Sequence, residues 1–160
     1  MVASLKTTNK ELADLYESDY SLWVLETVKQ LQNRDFQSLD LENLIEEVGD
    51  LSRRDQKKLK NLLKRLFEHL LKLKYWQSEV IRNQAHWKGE ILNFRQQIRD
   101  ELKDSPSLRP FLKQILDDCY QDARKIVSIR ANLTLDIFPE DAIANLEQIL
   151  DEDWFPNVSR

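Results

Sequence analysis

One histidine and a pair of glutamates are the residues of this sequence best suited to chemistry. His69 lies seven residues after Leu62 and three after Leu66, so a helix would turn its imidazole toward the leucines. An inward imidazole needs a hydrogen-bond partner, and with an acid from a neighbouring helix it could act as a general base or bind a ligand. The alternative, which we favour, is a structural histidine bonded to such an acid or to a backbone carbonyl. The acids available are Glu26, Glu46 and Glu47.

Other catalytic and metal-binding arrangements find no support. Glu46 and Glu47 are adjacent, and adjacent helical residues point about 100° apart, so the two carboxylates cannot serve one reacting atom. Two histidines are too few for a three-histidine zinc site, and no Glu-x-x-His pair occurs. His86 and Glu90 fit a surface contact, Cys119 fits an apolar row as a small hydrophobe, and no glycine-rich loop could cradle a phosphate. We therefore expect no catalytic residue, no metal and no cofactor.

The elements that would position these groups are helices. Glycine occurs only twice and proline four times, whereas strands and tight turns need more of both. Apolar residues recur at spacings of three and four along most of the chain. We expect an all-α fold, a compact up-down bundle of four long helices plus short terminal helices, in one domain spanning 1–160 with its core at about 16–156. The long helices are predicted at about 19–33, at 41–76, from a start between 79 and 85 to a stop at 104–107, and from that stop to about 131.

Local signals mark helix ends. Thr8 and Glu11 form a capping box that starts a short helix, and a last short helix is expected at 141–150. Just after Gly49 the apolar row is interrupted, because Ser52 and Asp55 occupy positions where apolar residues are expected. We therefore predict a kink or a short break at 49–53. Residues 41–76 could accordingly form one kinked helix or two helices. The aromatic pair after residue 153 is expected to fold back onto the protein.

Charge is strongly segregated along the chain. Residues 11–50 hold eleven acids and two bases, a balance of −9, and residues 51–76 hold nine bases and two acids, a balance of +7. Residues 136–160 hold seven acids and one base, a balance of −6. A sequence pI of about 5.3 and the lack of a nucleic-acid-binding motif favour a solvated basic helix over one that contacts phosphates. The basic helical stripe consists of Arg53, Lys57, Lys60 and Lys64.

These features favour a non-catalytic protein-interaction domain over an enzyme. The partner would be another protein or a second copy, with an acidic surface against a basic one. A small-ligand or enzymatic site around His69 with Glu46 or Glu47 is the alternative, and nucleic-acid binding through the basic stripe is the further alternative. The single cysteine fits a reducing compartment, and neither a signal segment nor a run of about eighteen apolar residues occurs, so we expect a cytoplasmic protein without membrane contact.

Ordered short motifs also carry a family resemblance, from about Tyr16 to Pro156. The stretches that carry it are Leu39 to Glu47, His69-Leu70-Leu71-Lys72, Trp87, Arg95, Ser105-Pro106-Ser107-Leu108, Tyr120, Ala123-Arg124, Phe138-Pro139 and Trp154-Phe155-Pro156. Together they make the chain similar to the bacterial Domain of Unknown Function 29 family, which implies a compact all-α protein and brings no established activity, substrate or cofactor. Gly49 departs from the acidic residue expected there.

Overall fold

The computed structural model describes residues 8–157, which are overwhelmingly helical and form no strand. Several of the helices are long and pack against one another, so the predicted all-α fold is confirmed. Within the described range, no helix is both long and apolar enough to cross a membrane. The α-helices are α1 (Asn9–Ser18), α2 (Tyr20–Gln32), α3 (Leu41–Tyr75), α4 (Gln77–Asp104), α5 (Arg109–Ala131) and α6 (Leu146–Leu150).

The chain divides into two compact units between Arg53 and Arg54. The first unit contains α1, α2 and the beginning of α3, and the second contains the rest of α3 with α4, α5 and α6. The prediction of one domain spanning 1–160 stays a prediction.

The first unit is organised around Trp23, which is buried. The ring of Tyr16 meets it edge-on at 5.0 Å between centroids, and the ring of Tyr20 stacks on it at 5.7 Å. The Trp23 indole Nε1 donates a hydrogen bond of 3.1 Å to Asp40, whose carboxylate also accepts from the backbone N–H of Asn43 and so caps the start of α3. The capping box at the start of α1 is confirmed as well.

Helix α3 runs without interruption from Leu41 to Tyr75, so a break at 49–53 is ruled out, whereas the alternative of a kink there stays a prediction. Gly49 keeps an ordinary helical conformation without positive φ, and Asp50 forms an ion pair with Arg53 one turn later. The fault in the apolar pattern has another cause. Ser52 and Asp55 lie in a stretch of α3 that is exposed almost all round, so no buried face requires apolar residues there.

In the second unit the three long helices run up, down and up. Lys58 of α3 forms an ion pair with Glu101 near the end of α4, and Trp76 stacks on Trp87 near its beginning, so α3 and α4 are antiparallel. Helix α5 runs parallel to α3. The Cys119 thiol contacts the Lys60 carbonyl and, further along both helices, Arg130 forms an ion pair with Glu68. Seven leucines of α3 form a broad apolar face that is buried between these helices. They are Leu59, Leu62, Leu63, Leu66, Leu70, Leu71 and Leu73.

The segment after α5 folds back along α4 and α5. Asn132 ends α5 in the left-handed conformation, at φ 52°, and a 3-10 turn follows at Leu135–Ile137. Leu146 and Ile149 of α6 are buried against the helices. This segment is therefore part of the core of the second unit.

Two predicted boundaries need correction. Helix α4 begins at Gln77, before the predicted range of 79–85, and Trp76 alone separates it from α3. Its first turn carries one buried residue, Val80, so the apolar pattern there marks the start of the helix weakly. The last helix is only Leu146–Leu150, since Asn145 starts it with a capping box to Gln148. Short helices lack a long apolar period, so such limits are poorly marked in sequence.

Candidate functional site

His69 is half-buried beside a cavity of about 490 Å³ in the second unit. Its Nδ1 donates a hydrogen bond of 2.9 Å to the carbonyl of Arg65, since a carbonyl can only accept, which leaves Nε2 as the unprotonated nitrogen of the neutral ring. The ring also meets Phe94 edge-on at 5.2 Å. Burial lowers the pKa of His69, which favours the neutral imidazole.

The acids that line this cavity are Glu68 and Glu90. Glu68 is buried and accepts a hydrogen bond of 2.9 Å from Arg130, so its charge is compensated. The hydrogen bond from His69 to a backbone carbonyl agrees with the interpretation of His69 as a structural histidine. The cavity beside it is the feature that the alternative, a ligand-binding site, requires. Lys64 and Arg65 complete the polar wall.

Glu46 and Glu47 belong to the first unit. The Glu47 carboxylate accepts hydrogen bonds from the hydroxyls of Tyr16, at 2.9 Å, and Tyr20, at 2.8 Å. The bond to Glu47 raises the pKa of Tyr16 to about 12. Glu47 thus ties α1 and α2 to α3, whereas Glu46 is exposed. The pairing of His69 with either glutamate stays a prediction.

The four members of the basic stripe have different surroundings. Arg53 pairs with Asp50, while Lys57 and Lys60 are exposed. Lys64 is half-buried and lines the cavity beside His69. Nucleic-acid binding through this stripe stays a prediction, and retention of radiolabelled DNA or RNA on a filter at low salt would test it.

Several large apolar side chains of the first unit are exposed. Along α3, Leu41, Ile45 and Val48 follow one another at helical spacing, with 57%, 64% and 59% of their surfaces accessible. On α2, Val28 and Leu31 are also exposed, because its buried face is formed by a different set of residues. That set is Trp23, Thr27 and Gln30.

Arg95 belongs to one of the family motifs, and the structure gives it a role that the motif does not indicate. It is 1% exposed, and its Nε donates a hydrogen bond of 2.7 Å to the carbonyl of Ile149. The rings of Phe155 and Trp154 lie 5.2 and 6.0 Å from the guanidinium, so the predicted folding back of this aromatic pair is confirmed. Burial lowers the pKa of Arg95 to about 10, opposed by the negative charge of Asp151.

A signal for Arg95 was present in the sequence. It lies four residues after Ile91 and three before Ile98, within the apolar row of α4. An arginine in such a row must be buried with partners or at the wall of a cavity. The periodicity of α4 could not distinguish these two possibilities, because the groups that contact Arg95 lie more than fifty residues later in the chain.

Cys119 and His86 make no further site. The Cys119 thiol is buried, and that burial raises its pKa to about 11, so the reactive thiolate is suppressed. His86 is exposed on α4. Among residues 8–157, no group of three or more histidine, cysteine or acidic side chains could hold a metal ion.

These features define an all-α helical protein with cavities in its second unit. The family model described as Domain of unknown function DUF29 matches residues 15–155. The chain therefore belongs to this family, as its ordered motifs suggested. No curated protein and no solved structure matches it.

Proposed function

We propose that the protein is an interaction module and that the row Leu41, Ile45 and Val48 on α3 binds another protein. The observation that carries this proposal is the exposure of three large aliphatic side chains in consecutive turns of one helix face. Isolated exposed apolar residues are ordinary, but a contiguous row is typical of a docking surface. Burying each such side chain would stabilise a complex by roughly 1.5–3 kcal/mol before ordering costs.

Charge indicates the chemistry of the partner. Glu42 and Glu46 are both exposed and each follows a member of the row, so acids border it along one side. The surrounding segment, residues 11–50, carries a balance of −9. A complementary partner presents an apolar helix face bordered by lysine or arginine. A second copy that used the same row would place acids against acids, which disfavours symmetric self-association through this face.

A defined peptide probe tests this proposal. A fluorescent helical peptide with a leucine row bordered by lysine is titrated into the protein, and binding is followed by anisotropy. We expect Ile45→Asp to weaken binding about tenfold, because it removes apolar burial and adds a like charge to the acidic border. Ile81→Asp is the matched control, since Ile81 is a highly exposed isoleucine on α4.

Three outcomes would overturn this assignment. The first is equal binding of a peptide in which glutamate replaces lysine. The second is binding that Ile45→Asp leaves unchanged. The third is a dimer in sedimentation at micromolar concentration that Ile45→Asp dissociates, which would assign the row to a second copy.

A second candidate function is small-ligand binding at His69, and the adjoining cavity of about 490 Å³ is the observation that favours it. Ligand-observed NMR with a fragment library is the test. We expect fragments that bind the wild type to be lost in His69→Asn while the midpoint of thermal unfolding stays the same, because an asparagine amide can keep the bond to the Arg65 carbonyl. Loss of stability without any change in fragment binding would leave His69 a purely structural role.

A further inference from the structure

A second cavity, of about 420 Å³, lies in the second unit where α4, the start of α5 and the C-terminal segment meet. Leu102 and Leu150 supply an apolar wall. The charged lining is strongly biased, with four cations and one carboxylate. The cations are Arg95, Arg99, Lys103 and Arg109, and the carboxylate is Glu152.

The single carboxylate does not compensate these charges. Arg99 donates a hydrogen bond of 2.5 Å to Glu152 and also lies 3.5 Å from Asp100, while Asp151 acts on Arg95. Arg109 lies 3.8 Å from Glu147, an exposed pair of small energetic weight. Lys103 has no ion pair among residues 8–157. The side chains that line the cavity therefore keep an excess of positive charge beside an apolar surface.

Arg95 gives an independent indication of an anion. Its Nη1 and Nη2 are buried and have no hydrogen-bond partner within the described range. Its two aromatic neighbours stabilise the positive charge but do not accept its N–H groups as oxygen would. Donors left unpaired on a buried cation are costly, so they mark a place where an acceptor is missing.

We infer that this cavity binds a small molecule that carries an oxyanion, a phosphate or a carboxylate, on an apolar body. The guanidinium groups and the Lys103 ammonium neutralise the oxyanion, and planar guanidinium groups match both oxyanions with paired N–H donors. The leucine wall takes the apolar body, and the volume suits a molecule of metabolite size. This site is separate from the α3 row and does not depend on it.

Isothermal titration calorimetry with matched aromatic probes tests the inference. The probes are 1-naphthyl phosphate, 1-naphthoate and neutral 1-naphthol, so the first two arms distinguish the two oxyanions. We expect at least one oxyanion to bind at least about tenfold more tightly than 1-naphthol, because a charge-assisted hydrogen bond is worth about that factor.

Substitutions at the cavity mouth locate the site without disturbing the core. The double variant K103Q/R109Q changes exposed side chains only and is expected to weaken oxyanion binding about tenfold or more. Lys125→Gln is the matched control, because Lys125 is an exposed base of α5 outside the cavity lining. Arg95→Gln is expected to abolish binding, and since Arg95 is buried its folding is checked by circular dichroism.

Two results would overturn the inference even if Arg95→Gln fails to fold. One is binding of 1-naphthol as tight as that of both charged probes. The other is unchanged oxyanion affinity in K103Q/R109Q. Loss of affinity in Lys125→Gln equal to that in K103Q/R109Q would also count against it, since binding would then follow overall charge.

Discussion

At the scale of single residues, burial controls the chemistry of Cys119. The thiol donates to the carbonyl of Lys60 over 3.6 Å and has no exposed surface. Burial raises its pKa to about 11, whereas the thiolate is the species that reacts.

We predict that Cys119 of the native protein reacts with Ellman's reagent at pH 8 only at the rate of unfolding. In urea the thiol should react at once, which serves as the control. Absorbance at 412 nm measures both rates. Rapid modification under native conditions would contradict the burial of this side chain.

His69 links stability to pH. Desolvation is the main cause that lowers its pKa from the ordinary value of 6.5. The hydrogen bond to the Arg65 carbonyl opposes this shift, nearby Lys72 adds to it, and the charges of Glu68 and Glu90 also oppose it. The unfolded chain therefore binds the His69 proton more readily than the native protein. Stability from this group is present above about pH 6.5 and is lost as the pH falls toward the lowered native pKa.

We predict that His69→Asn reduces the acid sensitivity of folding. Urea unfolding at pH 7.5 and pH 5 gives the free energy of unfolding for both proteins. The wild type should lose more stability between these values than the variant, since only the wild type protonates an imidazole there. An equal loss in both would show that His69 does not contribute.

At the scale of elements, α3 carries a glycine inside a continuous helix. A Cβ added to Gly49 would meet only the Arg53 side chain, at 3.5 Å, which is ordinary contact. At Gly89 of α4 an added Cβ would meet nothing within 4 Å. Glycine costs about 1 kcal/mol relative to alanine in a helix interior.

We predict that Gly49→Ala raises the free energy of unfolding by about 0.5–1 kcal/mol, measured by urea titration. Gly89→Ala, in a helix of undisputed continuity, is the reference and should give a similar gain. If Gly49→Ala alone destabilised the protein, that result would contradict a regular helical conformation at residue 49.

At the scale of the whole molecule, charge segregation has a structural outcome at the C-terminal end. The acidic segment after α5 places Glu152 on Arg99, and Glu147 lies near Arg109 and Lys113. Exposed pairs of this kind contribute little, so the attachment of the segment depends on its buried apolar residues.

We predict that Ile149→Ala lowers the free energy of unfolding of the second unit by about 2–4 kcal/mol, because a fully buried isoleucine leaves a cavity. Ile81→Ala provides the matched control, since Ile81 is 92% exposed, and should change stability by less than about 0.5 kcal/mol. Fluorescence-detected urea unfolding measures both. Equal effects would mean that the segment is not part of the core.

The sequence by itself determined the features that depend on neighbours within one or two helical turns. Periodicity gave the helical class, and side-chain chemistry gave the capping box at Thr8. Ordered motifs gave the family.

Only the tertiary structure decided which faces are covered and by what. Periodicity shows that Leu41, Ile45 and Val48 share a face, but burial of that face depends on elements elsewhere in the chain. For the same reason the tyrosine partners of Glu47 and the Ile149 carbonyl bonded to Arg95 were not predictable. Contacts between distant residues follow from how helices pack, and no local pattern encodes them.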